Sequence, residues 1–242
     1  MASTVGSEWR AKVGLVVPSW NTVLEYECAR LVPGGVSVHV SRIAHTADTE
    51  ERLRHMVDLL PEAADLLAHA RVSAICFGCT ASGFIQESIG ADKRLAAAIT
   101  ARTGIPTVTT SQAIAEALEH FGVRRIAVAS PYETWLNDYL RRYLERSGFE
   151  VTAIAGFGTQ EHATCSVEET MALARKVVTA DAEAVVISCT NFRTLEIIER
   201  LERDIGRPVV TSVQASLWRL LALAGVGDPI LGAGRLLEEG RT

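Results

Sequence analysis

Two short runs in the 242-residue chain end in the same pair of residues. Ala74-Ile-Cys-Phe-Gly-Cys-Thr80 and Ala184-Val-Val-Ile-Ser-Cys-Thr190 each carry an apolar stretch into Cys-Thr, so that Cys79 and Cys189 stand 110 positions apart. A thiol at the end of a strand and just ahead of a predicted helix meets free backbone N–H groups and the positive end of the helix dipole. That environment lowers a thiol pKa and makes the thiolate accessible. Two such thiols facing one substrate suit proton removal on one face with delivery on the other, or attack by one sulfur with protonation by the other. The other cysteines read differently: Cys28 and Cys76 as small core hydrophobes, Cys165 as structural. Cys76-x-x-Cys79 has the spacing of a redox pair or half a zinc site, but strand residues three apart point to opposite faces. No second Cys pair or His pair completes a metal set. The six histidines show no metal-binding spacing, and most fall on predicted helices or strand edges. Gly232-Ala-Gly lacks the third glycine of a dinucleotide fingerprint, and no phosphate-loop lysine motif occurs. Chemistry without metal or cofactor is the economical reading.

The elements that must position these thiols alternate along the whole chain. Apolar runs of strand length occupy 12–18, 36–43, 72–79, 106–110, 124–130, 150–157, 182–189 and 208–212. Amphipathic segments of helical period lie between them, at 22–31, 50–70, 92–102, 112–120, 133–146, 167–178, 195–204 and 214–223. Several strands, such as Val-Gly-Leu-Val-Val, are continuously apolar, as expected where helices cover both faces of a parallel sheet. The alternation also repeats. Gly104-Ile-Pro-Thr-Val-Thr matches Gly206-Arg-Pro-Val-Val-Thr, each with Gln-Ala shortly after, and Val17-Pro18-Ser19-Trp20 has a counterpart in Ser130-Pro131-Tyr132. The sequence therefore predicts an α/β fold of two pseudo-twofold-related halves, each a mostly four-stranded parallel sheet flanked by helices. Residues 1–110 form the first half, 111–225 the second, and 226–242 a C-terminal segment returning to the first. Ligands of open parallel sheets bind beyond the carboxyl ends of the strands. That rule selects Ser19 and Asn21, Cys79 and Thr80, Tyr132, and Cys189, Thr190 and Asn191, with the two cysteines on opposite walls of one cleft.

Composition narrows the partners. Apolar residues make up 48% and charged residues 22%, the balance of a globular protein, and 24 Lys and Arg against 29 Asp and Glu leave a net charge of −5. No basic excess suits a nucleic acid, and no apolar run reaches the ~18 residues of a membrane span. The first ten residues lack a basic region followed by an apolar core, and five cysteines without framework spacing fit reduced thiols. The expectation is a cytoplasmic protein acting on a small molecule, with neither nucleic acid nor membrane as partner.

The residues now assembled resemble the aspartate/glutamate racemase superfamily, in its branch of maleate cis–trans isomerases and arylmalonate decarboxylase. The resemblance rests on Val17-Pro18-Ser19-x-Asn21, Gly78-Cys79-Thr80, Ser130-Pro131-Tyr132, Ile187-Ser-Cys-Thr-Asn-Phe-Arg-Thr194 and Thr211-Ser-Val-Gln-Ala-Ser-Leu-Trp218. It implies that Cys79 is a nucleophile and Cys189 an acid or base. It also implies that Asn21 and Tyr132 hold a substrate carboxylate, and that Thr80 supplies donors to a developing oxyanion. A small carboxylate substrate and a homo-oligomer, dimer or tetramer, follow from the same resemblance. Two positions depart from the branch: Gln160, counted with the substrate-binding residues, stands where the isomerases carry Asn, and Trp20 where they commonly carry a small Ser. The implied reaction is cis–trans isomerisation of a small, maleate-like dicarboxylate. A two-cysteine racemase or epimerase of an amino acid or hydantoin-like acid is the alternative, with a decarboxylase-like relative behind it. Retention of both cysteines argues against the decarboxylase, which keeps only the second-half one.

Overall fold

Apolar strands that bury both faces need helices on either side, and the computed structural model supplies them twice. It describes residues 9–240; residues 1–8, on which the reading of the N-terminus rests, lie outside the described residues. The first half runs β1 (Ala11–Pro18), α1 (Leu24–Leu31), β2 (Val36–Ile43), α2 (Glu50–His69), β3 (Ala74–Phe77), α3 (Thr80–Phe84), α4 (Ala91–Thr103), β4 (Thr107–Thr109) and α5 (Thr110–His120). The second runs β5 (Arg125–Ser130), α6 (Thr134–Arg146), β6 (Glu150–Gly156), α7 (Val167–Val177), β7 (Ala184–Ile187), α8 (Ile198–Ile205), β8 (Val209–Thr211) and α9 (Ser212–Leu223). A 3₁₀ turn at His162–Thr164 follows β6, and α10 (Arg235–Glu238) closes the chain.

Each half is a four-stranded parallel sheet, ordered β2-β1-β3-β4 in the first and β6-β5-β7-β8 in the second. The expected α/β architecture of two equivalent halves is the one observed. The inner strands β3 and β7 are buried throughout, whereas the edge strands β2 and β6 are mostly half-buried. The sequence repeat has a local cause. Gly104 and Gly206 end α4 and α8 in the left-handed conformation, at φ 71° and 68°, which glycine adopts without steric cost. The Pro-x-Val-Thr that follows becomes β4 or β8, and its last threonine, Thr109 or Thr211, caps the next helix by accepting from the N–H of Gln112 or Gln214.

The helices so started, α5 and α9, pack against each other, and each also reaches the other half's sheet: α9 lies on β3 and β4, and α5 touches β8. Hydroxyl pairs fill their seam, including Thr110 Oγ1 to Ser216 Oγ at 2.8 Å. The halves therefore share one continuous core. The C-terminal segment, expected to return to the first half, sets α10 on α9 and β8. Gln214 Nε2 donates to the Ala233 carbonyl, and the Arg235 N–H to Glu202. Its ties to the first half include the ion pairs of Asp228 with Arg10 and of Glu239 with His120 of α5. No helix among the described residues is long and apolar enough to cross a membrane.

Two buried acids also cross between halves. Tyr143 of α6 donates to Asp92 of α4 at 2.6 Å. Glu27 of α1 accepts from the backbone N–H of Thr194 and Leu195 at 2.9 and 3.1 Å. Burial pushes the Glu27 carboxyl above its ordinary value, and the two N–H groups oppose the shift without cancelling it. A raised native pKa means that the folded protein binds the proton more tightly than the unfolded chain. This contribution to stability is present below the unfolded value and lost as pH rises through the folded one. Glu27→Gln keeps an oxygen for the two N–H groups and removes the titration. Urea unfolding from about pH 4 to about pH 8 should show the variant gaining on the parent as pH rises; a difference independent of pH would contradict the assignment.

Candidate active site

The carboxyl ends of β1, β3, β5 and β7 open onto one pocket between the halves. Its walls are Pro18, Trp20 and Asn21 after β1, Cys79, Thr80 and Ala81 after β3, Tyr132 after β5, and Cys189, Thr190 and Asn191 after β7. His45 and Asp48 from the loop after β2, with His162 from the 3₁₀ turn after β6, complete it. The space is at most about 270 Å³, which suits a small molecule and not a polymer. Cys79 and Cys189 line the same pocket, each 6% exposed.

Hydrogen bonds across the seam fix this wall. Asn21 Oδ1 accepts from the N–H of Val23 and Leu24, turning the chain into α1, while its Nδ2 donates to Thr190 Oγ1 at 3.1 Å. Thr190 Oγ1 donates onward to the Gly78 carbonyl at 2.9 Å, and the Thr22 N–H reaches Asn191 Oδ1 at 3.0 Å. Thr80 Oγ1 donates to Ser212 Oγ at 3.1 Å, and that oxygen also accepts the Cys189 N–H at 2.9 Å. Seven of the residues selected from the sequence thus stand together: Asn21, Thr80, Tyr132, Thr190 and Asn191 with Cys79 and Cys189. Two selected residues do not line the pocket. Ser19 is exposed and accepts the His45 N–H while donating to the His45 carbonyl. Gln160 accepts from the Asp48 N–H at 2.8 Å and donates to Glu133, bridging loops of both halves.

The two thiols differ in surroundings, and the helix expected after each exists only once. Cys79 precedes α3, whose Ala81 and Ser82 N–H groups favour the thiolate, and its Sγ lies 3.3 Å from Ser82 Oγ. Burial outweighs them and pushes the thiol up to about 11. After Cys189 the chain turns instead, and α8 begins only at Ile198. Burial raises the Cys189 thiol further, Asp48 adds to the rise, and the Asn191 N–H and the Tyr132 hydroxyl oppose it. The lowered thiol pKa expected from helix starts is therefore not found, because desolvation of the sulfur exceeds what the N–H groups return. Cys189 also has φ 110°, a region that L-residues rarely adopt and that costs about 1–3 kcal/mol.

The residues that the sequence did not reveal are His45, Asp48 and His162. His162 Nδ1 lies 3.5 Å from Cys189 Sγ. Its Nε2 is 3.6 Å from Asp48 Oδ2, and Asp48 Oδ1 is 2.9 Å from His45 Nε2. Trp20 presses edge-on against both imidazoles, with ring centroids at 5.1 and 5.4 Å. Burial lowers the His162 pKa, and the Asp48 carboxylate opposes that shift. The one sequence signal lay close by: Gln160 was singled out as the departure in this loop, and His162 is two residues further on.

A family model described as arylmalonate decarboxylase matches residues 13–237. The chain belongs to the arylmalonate decarboxylase family. The branch read from the Cys-Thr and Pro-Ser-x-Asn motifs is the branch matched. Among its relatives in the family, a maleate isomerase from Nocardia farcinica is 28% identical, with 94% of this chain and 96% of that protein covered. An arylmalonate decarboxylase from Bordetella bronchiseptica is 27% identical, with 94% and 96% covered. The fold superimposes at a TM-score of 0.90 on a cysteine-to-serine variant of Nocardia farcinica maleate cis–trans isomerase, solved with a covalently bound succinylcysteine intermediate. That pair is 25% identical, covering 95% of this chain and 98% of the other.

Within this family member, Gly156 controls one wall. A Cβ there would lie 2.3 Å from the Tyr132 carbonyl oxygen and 2.6 Å from Asn137 Nδ2. The Asn137 amide already holds the Tyr132 carbonyl, at 3.2 Å. Gly156→Ala must move backbone that carries Tyr132, and is expected to cost about 1–3 kcal/mol in urea unfolding. Unchanged stability would show that this wall yields freely.

Proposed function

We propose that this protein is a cofactor-independent cis–trans isomerase of a small, maleate-like dicarboxylate, with Cys79 as nucleophile and Cys189 as general acid and base. The observation that carries the reading is that two sulfurs from equivalent strand ends line one small pocket rich in hydrogen-bond donors. The maleate isomerases among its relatives support it, as does the succinylcysteine described for one of them.

The reaction needs no electron sink. The Cys79 thiolate adds to one alkene carbon, and the Cys189 S–H gives its proton to the neighbouring carbon. The former double bond is now single and rotates. The Cys189 thiolate then takes a proton back, the sulfur–carbon bond at Cys79 breaks, and the trans acid leaves with the double bond restored. Because burial holds both resting sulfurs as thiols, charge develops on Cys79 only with substrate in place, its proton passing to a carboxylate of the bound dianion and returning when the sulfur–carbon bond breaks. The Ala81 and Ser82 N–H groups beside it are set to stabilise that charge. The Asn21 amide keeps one hydrogen beyond its bond to Thr190, and with Tyr132 and Asn191 it makes the carboxylate-holding side of this reading.

In D₂O, NMR should follow maleate to its trans isomer with the parent enzyme. Cys79→Ser should reduce turnover roughly 10³-fold or more. Cys189→Ala incubated with maleate should gain one substrate mass on Cys79 in intact-protein mass spectrometry. Deuterium entering a saturated amino acid or hydantoin-like acid, with no adduct under any condition, would overturn the isomerase in favour of the racemase.

A further inference from the structure

The two sulfurs are placed alike by the fold and are nevertheless served differently. Cys79 has a serine hydroxyl beside it; Cys189 has an imidazole, with a carboxylate behind that and a second imidazole behind the carboxylate. The three supporting side chains come from two loops of opposite halves, and all are almost fully buried in the pocket wall. His45, Asp48 and His162 side chains are 1%, 6% and 2% exposed. His162 Nε2 and His45 Nδ1 are buried without a hydrogen-bond partner, which is costly unless the groups have work to do. The chain Cys189–His162–Asp48–His45 has the order in which a base is held and charged by an acid behind it.

The geometry points to His162 as the proton-holding partner of Cys189, positioned by Asp48, so that this sulfur and not Cys79 exchanges its proton within the protein. The step balances with the groups present. The proton leaves Cys189 Sγ and binds His162 Nδ1, the S–H bond becoming a thiolate lone pair and the imidazole an imidazolium. The Nε2–H of that imidazolium faces the Asp48 carboxylate, and the reverse transfer restores thiol and neutral ring. His162 acts through Cys189 and is a positioning residue. The groups facing it are Asp48 and His45 from the loop after β2, Cys189 from the end of β7, Tyr132 from the start of the β5–α6 connection and Glu161 from its own loop. Burial, and after it His45, opposes the imidazolium; Asp48, the Thr159 backbone and Glu161 favour it. The inference deepens the proposed reaction, in which Cys189 passes between thiol and thiolate, and extends it to how that passage is supported.

The test is alkylation of the free, intact enzyme by iodoacetamide across pH, with each cysteine read separately by peptide mass spectrometry. His162→Gln should slow alkylation of Cys189 at neutral pH by ~10-fold or more, equivalent to an upward move of its titration midpoint by about one unit. Cys79 should be alkylated at the parent rate. Added imidazole should restore part of the Cys189 rate in His162→Gly. If His162→Gln does not fold, His162→Asn serves in its place and should slow Cys189 alkylation in the same way. Parent-like Cys189 alkylation in these variants, or an equal slowing of Cys79, would overturn the relay. No substrate is needed, so the two readings fail separately. Expected alkylation with maleate left untouched refutes the isomerase alone, and turnover of maleate with unmoved alkylation refutes the relay alone.

Discussion

One oxygen atom sets the spacing of the site. Ser212 Oγ, at the start of α9, accepts both the Thr80 hydroxyl and the Cys189 N–H, so each Cys-Thr pair is pinned to the same point from its own half. The bond is buried, and a buried acceptor left without its donors costs about 1–3 kcal/mol. The surrounding bonds, Asn21 to Thr190, Thr190 to Gly78 and Thr22 to Asn191, repeat the logic from the other side. Neither half holds its own reactive residue unaided. The shared core along α5 and α9 is what makes these short bonds possible, because it fixes the two sheets relative to each other.

Burial then decides the chemistry available. It desolvates both sulfurs and raises both thiols, against whatever the local N–H groups contribute. In the proposed reaction such a site keeps its nucleophile masked until a bound anion and its donors change the balance. The duplicated fold supplies two equivalent positions, and the loops break their equivalence: α3 follows one cysteine directly, and a turn with a histidine opposite serves the other.

Much of this was legible in the sequence because it is local. Gly-x-Pro-x-Val-Thr encodes a helix stop, a short strand and a helix cap within a few residues, and doing so twice declares the duplication. The strand-end rule then gave Asn21, Thr80, Tyr132, Thr190 and Asn191 from the polarity change after each apolar run. His45, Asp48 and His162 were not legible, since they sit in loops with no periodicity and meet only through the crossing of two sheets. Gln160 and Ser19 were legible as polar residues near the site but not in their direction, which the loop backbone decides. The helix expected at 195 begins at Ile198 because Glu27 of the other half holds the Thr194 and Leu195 N–H groups in a turn, a long-range contact that no local pattern carries.

The backbone at Cys189 carries a consequence for descent. A φ of 110° is comfortable only for glycine, yet the thiol is kept there by neighbours that hold it in place. Selection for stability alone would replace this cysteine with glycine, and would do so in a single step that relieves strain. On the proposed reading the cysteine persists only while its sulfur is needed. Among copies of this gene that drift in sequence, this position should be the first to record the loss of the activity, well before the fold itself decays.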